Sequence, residues 1–244
     1  MNLPLLILLF PSLILSLSSS PRLSSPINIT KTFRLIANLT NPSLDLSPSV
    51  QGYTLTSVHV GAGLETAVLS SSPQLGSTLY ENATGGLVVD SSSDSIPFSM
   101  VITPWTSAPA DQADYVNYVG LALGEAQTDI TMDTDTSQVL YKLGTFIVCE
   151  ETNPTSNAKP QYPVRFAAAT PGAGGVLLQK IPGGCVPITL LAECIPDDPA
   201  ISTTAAVKIA TATANEKDQG FGGGVKADSR MVRCYDDAAA VRWS

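Results

Sequence analysis

Only one histidine, His59, occurs in the 244 residues, and the four cysteines include no CxxC pair. That scarcity excludes the common zinc ligand sets, which draw on close cysteine pairs and several histidines. Cations are few as well: 13 Lys and Arg stand against 21 acids, a formal net charge of −8. Such a surface has little with which to displace counterions from a phosphate backbone, so nucleic acid is not an expected partner. Nucleotide-binding signatures are missing. The "GAG" at 61–63 is no dinucleotide fingerprint, and the glycines at 222–224 are followed by neither a lysine–serine pair nor a helix start. No GxSxG elbow is present, and helical periodicity is scarce throughout. No cofactor is expected.

What the chain does contain begins with an uncharged leader, "LPLLILLFPSLILSL" at 3–17. Its length is short for crossing a membrane, and the small residues Ser16 and Ser18 suit a signal peptidase, so residues 1–18 are expected to be a signal peptide cut after Ser18. No second apolar span of membrane length follows, and the C-terminal "AAAVRWS" does not resemble a lipid-anchor signal. The expected product is a secreted, extracellular protein with no membrane insertion in its mature form. Three sequons agree with export: Asn28 in "NIT", Asn38 in "NLT" and Asn82 in "NAT". A glycan at Asn38 requires that side chain to face solvent. Charge is unevenly spread, with twelve acids and four bases in residues 1–150 and nine of each in the remainder. The first half is therefore expected to present an acidic, solubilising surface.

In an exported chain, Cys149, Cys185, Cys194 and Cys234 read as two disulfides. "CVPITLLAEC" looks like one strand, whose nine steps of about 3.3 Å hold its ends roughly 30 Å apart. A disulfide needs Cα atoms within about 7 Å, which disfavours Cys185 with Cys194. Two arrangements remain, Cys149–Cys185 with Cys194–Cys234, or the crossed set. The first is favoured because Cys149 ends the run "YKLGTFIVC" and can meet the start of the next central strand.

Short runs rich in Val, Ile, Thr and Tyr alternate with Gly, Pro, Ser, Asn and Asp breaks. They predict strands at 31–37, 53–60, 66–70, 86–90, 96–102, 115–123, 137–149, 162–168, 175–181, 185–193, 204–212 and 229–235. The run at 96–102 alternates cleanly, with Ile96, Phe98, Met100 and Ile102 on one face. This many strands without intervening amphipathic helices predicts an all-β fold, an antiparallel β-sandwich or barrel-like fold with long loops. One domain over 28–236 is expected, with 215–229 as an exposed loop.

The stretch "SVHVGAGLETAVL" reads as strand, glycine turn and returning strand. Tyr53, Leu55, Ser57 and His59 share one face, and Gly61 and Gly63 permit the bend. His59 with Glu65 is the alternative, catalytic reading. A base needs a nucleophile and an orienting acid, and no motif here singles either out. Asp129, Asp133 and Asp135 in "DITMDTDTS" are hard oxygen ligands of the kind calcium takes, but they lack the glycine and terminal glutamate of an EF-hand. A solvated turn accounts for them without a metal. Trp105, Tyr115 and Tyr118 are candidate glycan-stacking residues, each with core packing as the plain alternative.

"KTFRLIANL", "GYTLTSVHVGAGLETAVL", "GTFIVCE" and "GGCVPITLLAE" together resemble a family of small secreted fungal proteins defined by a domain of unknown function. The resemblance spans roughly 31–210. It implies that Cys149 and Cys185 match the family's paired cysteines and that His59, Gly61 and Gly63 match its histidine–glycine turn. It carries no catalytic residues, and the acidic span 104–136 and the pair Cys194 and Cys234 read as elaborations. The implied setting is extracellular, at the cell wall or facing a host.

Two functions from different classes follow. One is a noncatalytic β-protein binding a glycan, a cell-wall polymer or a host protein; the other is a secreted hydrolase using His59. Both share one expectation, that the mature chain starts near Ser19 and holds no free thiol. Intact-mass measurement before and after alkylation of the unreduced protein checks it, and any added alkyl mass contradicts complete pairing.

Overall fold

Alternation along the sequence becomes inward and outward facing in the structure, a computed structural model describing residues 28–90, 97–106, 108–113, 115–151, 161–172, 175–195 and 229–241. In β7 (Phe98–Pro104), Met100 and Ile102 lie in the core and Phe98 packs against it, as expected for three residues of that face, while Ile96 lies outside the described residues. Fifteen strands and no α-helix occur among the described residues.

The main sheet comprises β2 (Phe33–Leu39), β3 (Thr54–Gly61), β4 (Leu64–Ser70), β5 (Leu79–Glu81), β6 (Leu87–Val89), β7, β8 (Val116–Leu123), β11 (Gly144–Cys149), β12 (Val164–Pro171), β13 (Leu177–Gln179) and β14 (Cys185–Cys194). It is antiparallel and runs β13-β12-β11-β14-β2-β3-β4-β8-β7-β6-β5, with further pairings of β12 to β8 and of β2 to β5. Those two pairings close a circuit of eight strands, β2-β5-β6-β7-β8-β12-β11-β14, and the β3–β4 hairpin spans from β2 to β8. Closure leaves the circuit without a free edge, the arrangement that protects antiparallel strands from pairing with other chains. Two ribbons lie outside it: β1 (Asn28–Thr30) with β15 (Val232–Cys234), and β9 (Ile130–Met132) with β10 (Val139–Tyr141).

The interior is filled by side chains, among them Phe33, Leu35, Leu55, Leu121, Phe166 and Leu190. Phe166 anchors an aromatic group, edge-on to Tyr141 at 4.9 Å and to Phe146 at 5.3 Å. β2 is buried along nearly all its length because both of its faces are covered. Phe33, Leu35, Ala37 and Leu39 face the core, while Ile36 and Leu191 lie under Tyr235, Ala238 and Val241 from the C-terminal segment. A second outer cover lies over Val116, Ile147 and Ala167, and is made by Trp105, Tyr115, Ile181 and the Cys149–Cys185 bridge.

Departures from the expected strands are local. The run 137–149 is two strands, because Ser137 and Lys142 take positive φ (55° and 38°) and the chain turns after Tyr141. β1, β5 and β9 were not anticipated; three residues each are too few to show alternation. The strand expected at 204–212 and nearly all of the loop at 215–229 lie outside the described residues.

Both disulfides join the partners favoured from strand order, Cys149–Cys185 and Cys194–Cys234. Cys149 stands directly opposite Cys185 in the β11–β14 ladder. Their N–H groups bond Pro163 and Pro182 carbonyls rather than each other, which is the narrow type of antiparallel pair, and the Cα atoms are 4.1 Å apart. Cys185 and Cys194 are the two ends of one strand, β14. Separations of 36 and 40 residues are alike, so each bridge restricts the unfolded chain by about 4 kcal/mol in the loop-entropy treatment. Their native surroundings differ. β11 and β14 remain paired without their bridge, whereas β15 is tied to β14 chiefly through Cys194 and the bonds between Tyr235 and its neighbours. Replacing Cys194 and Cys234 by Ala should therefore speed amide exchange in β15 and β1 selectively, while the Cys149 and Cys185 double variant should not. Hydrogen exchange with mass readout checks this, and uniform loss of protection in both variants contradicts it.

Candidate functional site

Two of the three aromatics singled out for stacking, Trp105 and Tyr118, flank an arginine on the outside of the barrel, and the third, Tyr115, packs on the same cover as Trp105. Tyr118 on β8 is the register partner of Arg165 on β12, so the two side chains share a face. The Arg165 guanidinium lies 4.6 Å from the Trp105 ring centre and 5.6 Å from that of Tyr118, both within cation–π range. Arg165 is 5% exposed. Its Nη1 donates to the Val164 carbonyl at 3.2 Å and its Nη2 to Glu151 Oε1 at 3.1 Å, while Nε has no partner. Burial lowers its pKa, and Glu151 and Tyr118 partly oppose that; an arginine remains charged all the same. Tyr118 Oη donates to Thr66 Oγ1 at 2.9 Å. Tyr115 packs on the same cover, with the exposed Lys180 ammonium 5.0 Å from its ring. Trp105 and both tyrosines are half-buried, so they pack and still reach solvent. Chemically, the face offers aromatic rings, a neutralised buried cation and a rim carboxylate, Glu151.

His59 stands elsewhere, exposed near the tip of the β3–β4 hairpin. The turn forms as expected, with Gly63 at φ +70° and a bulge between His59 and Gly61. Glu65 is the register partner of His59, yet its carboxylate takes a short hydrogen bond from Ser57 Oγ. The hydroxyl is thus engaged with the acid, and the ring projects from a hairpin end instead of lining a cleft.

The aspartates do not converge, and no group of metal-ligating residues forms among those described. Asp129 pairs with Lys142 at 3.4 Å. Asp133 Oδ1 accepts from Thr136 N at 2.6 Å, Thr136 Oγ1 at 2.8 Å and Asp135 N at 2.9 Å, capping its own turn. The sequons divide. Asn38 is 1% exposed and its Nδ2 donates to the Val241 carbonyl at 2.7 Å, so the expectation of a glycan there is corrected: the C-terminal segment occupies the space. Asn28 is exposed, with Nδ2 2.6 Å from Asp236 Oδ1, and Asn82 lies in the turn between β5 and β6.

Arg165 and Glu151 were missed from sequence, although a lone arginine between Val164 and Phe166 in an apolar strand is a readable sign of a buried charge. Two further ion pairs, each with a largely buried carboxylate, were also missed. Burial raises the Glu193 carboxyl, opposed by Arg34 at 3.2 Å. Burial likewise raises Glu81, opposed by Arg230 at 3.9 Å.

The described residues thus define a disulfide-tied, closed antiparallel β-barrel whose outer face, not an enclosed catalytic cleft, carries the grouped side chains. The chain belongs to the family defined by a domain of unknown function (DUF7907), which matches residues 30–194. The match ends at Cys194, so the bridge to Cys234 ties a segment beyond it back to the sheet. The chain is also 24% identical over 229 residues to antigenic protein SchS34 of the fungus Stachybotrys chartarum, covering 88% of this chain and 90% of that protein. No solved structure matches it.

Asp133 provides a test by pH. Partial burial pulls its pKa up, but the bonds from Thr136 and Asp135 outweigh that and hold it below its ordinary 3.8. A lowered carboxylate contributes stability that is present above the ordinary value and is lost as pH falls through the lowered one. Asp133→Asn should therefore cost about 1 kcal/mol near neutrality, and the gap in Tm from wild type should close in acid. A gap that is constant with pH contradicts an anion held by these bonds.

Proposed function

We propose that the protein is exported, with residues 1–18 removed and 28–236 forming one domain, and that it acts without catalysis by binding a glycan or wall polymer at a cell-wall or host surface. The observation that carries this reading is that Trp105 and Tyr118, from one stretch of the chain, flank Arg165 of the distant strand β12 on the outer face, with Tyr115 packed on the same cover as Trp105. Half-exposed aromatic rings held by packing suit the apolar faces of sugar rings, because they lose little freedom on binding. Two disulfides and a fungal relative named as antigenic are in keeping with a protein that leaves the cell and meets a host. The hydrolase reading has no comparable support, since His59 is exposed at a hairpin end and Glu65 is engaged by Ser57.

Retention on wall polysaccharide and on a glycan array, compared with an unrelated acidic protein, tests the reading. Trp105→Ala should weaken retention by about 1 kcal/mol, the scale of one aromatic contact, with folding checked by Tm because the ring also covers Arg165. His59→Gln should leave retention and stability unchanged. No retention above the control eliminates the glycan partner and turns attention to a protein one. Turnover in an esterase, peptidase and glycosidase screen that is abolished in folded His59→Gln overturns the noncatalytic reading.

A further inference from the structure

We propose that Asn82 carries an N-linked glycan whose first sugar seats in the cleft beside it, lined by Tyr80, Val88, Pro97 and Ala126; this rests on the export proposed above. The cleft is about 470 Å³, in the range of small-molecule sites. Its floor is apolar and quiet: Val88 is 3% exposed, and the buried Ser99 hydroxyl is satisfied by the Gly124 carbonyl at 2.9 Å. Asn82 stands at its edge in a turn that is fixed from several sides. Asn82 Oδ1 accepts from Thr84 N at 3.1 Å, Thr84 Oγ1 at 2.8 Å and Gly86 N at 2.8 Å. Arg230 reaches beneath the turn, with Nη2 2.5 Å from the Ala83 carbonyl and its N–H donating to the Glu81 carbonyl at 2.8 Å.

Among the described residues, every side-chain bond of Asn82 goes through Oδ1, and none is made by Nδ2, the atom that bears a glycan. The other two sequons differ at that atom. Nδ2 of Asn38 is buried against Val241, and Nδ2 of Asn28 is taken up by Asp236. In the transfer step, Nδ2 forms a bond to C1 of a lipid-diphosphate-linked oligosaccharide, the C1–O bond to the diphosphate breaks with its electron pair leaving on the lipid diphosphate, and the amide proton passes to the transferase. Once attached, the ring is tethered beside Pro97 and Ala126, whose partly exposed apolar surface takes the C–H face of a pyranose above the buried Val88. The Thr84 and Glu125 side chains lie at the rim for its hydroxyls.

The test secretes the chain from yeast twice, once with its own residues 1–18 and once with a leader of proven function in their place. Peptide mapping after enzymatic deglycosylation in heavy-oxygen water locates occupied sites. Asn82 should be occupied in most molecules and Asn38 in none. Retention in the cell of the first form only, with Asn82 occupied in the second, defeats the export reading and leaves the site standing. An unmodified Asn82 in the second form overturns the site. For the seat, the glycan is trimmed to a single N-acetylglucosamine and Tm is compared with that of Thr84→Ala, which lacks the sequon. The trimmed protein should match the fully glycosylated one and exceed the variant by about 2 to 4 °C. Wild type and Thr84→Ala made without glycan in bacteria measure the loss of the hydroxyl alone, and a difference there equal to the whole shift overturns the seat.

Discussion

Closure of the sheet at two seams is the constraint on which the other features depend. β8 pairs with β12 through Val116, Asn117 and Tyr118, then with β4 through Gly120, Leu121 and Ala122, along one edge. Gly120 stands where the neighbour changes. A Cβ there would overlap the Tyr118 ring and come within 2.7 Å of the Glu65 carbonyl, so the seam requires a glycine. At the other seam Phe33 meets Leu79, both fully buried. An eight-stranded circuit has an interior just wide enough for side chains to fill, and here they fill it.

Filling the inside leaves apolar residues outside, and the protein covers them in two places, each with a disulfide and an ion pair nearby. The C-terminal segment lies over Ile36 and Leu191, fastened by Cys194–Cys234 and accompanied by the Arg34–Glu193 pair. The loops bearing Trp105, Tyr115 and Ile181 lie over Val116, Ile147 and Ala167 beside the Cys149–Cys185 bridge, which joins β11 to β14, and are accompanied by Arg165–Glu151. A buried pair need not stabilise more than apolar residues of the same shape would. Removing Glu151, however, strands the buried Arg165 charge in low dielectric, a loss of about 3–5 kcal/mol on the scale of broken buried pairs. Each pair thus favours the native placement of its cover, which brings a carboxylate to the arginine.

Long alternating runs were legible because one face of each meets the same core, as Phe98, Met100 and Ile102 do. The bridges were legible in part: strand length disfavoured Cys185 with Cys194, and the place of Cys149 at a strand end favoured the observed pairing over the crossed one. What stayed hidden depended on partners distant in sequence. Asn38 shares the outer face of β2 with Ile36, and nothing in "FRLIANL" reveals that residues some two hundred positions later cover it. Lys142 at positive φ splits a run that its composition makes continuous, because a non-glycine residue seldom adopts that conformation. The aromatics of the outer face were identifiable by type, but their convergence required the β8–β12 register that sets Tyr118 opposite Arg165.

That convergence also limits the chemistry the proposed binding face can accept. Arg165 is 95% withdrawn from solvent and its charge is met by Glu151, so it is not a free cation for an acidic polymer. The rest of the molecule acts in the same direction, because a net charge of −8 repels polyanions at any range that salt does not screen. Arg165 instead polarises the face from beneath: a guanidinium against the rings of Trp105 and Tyr118 holds them in place and engages their electron-rich faces. Rings fixed in this way present flat, partly apolar surface with hydroxyl-compatible edges, Tyr118 Oη already serving Thr66 and Glu151 open at the rim. The ligand that this proposed face would suit is neutral and amphipathic, an uncharged sugar ring before a uronic acid or a phosphate.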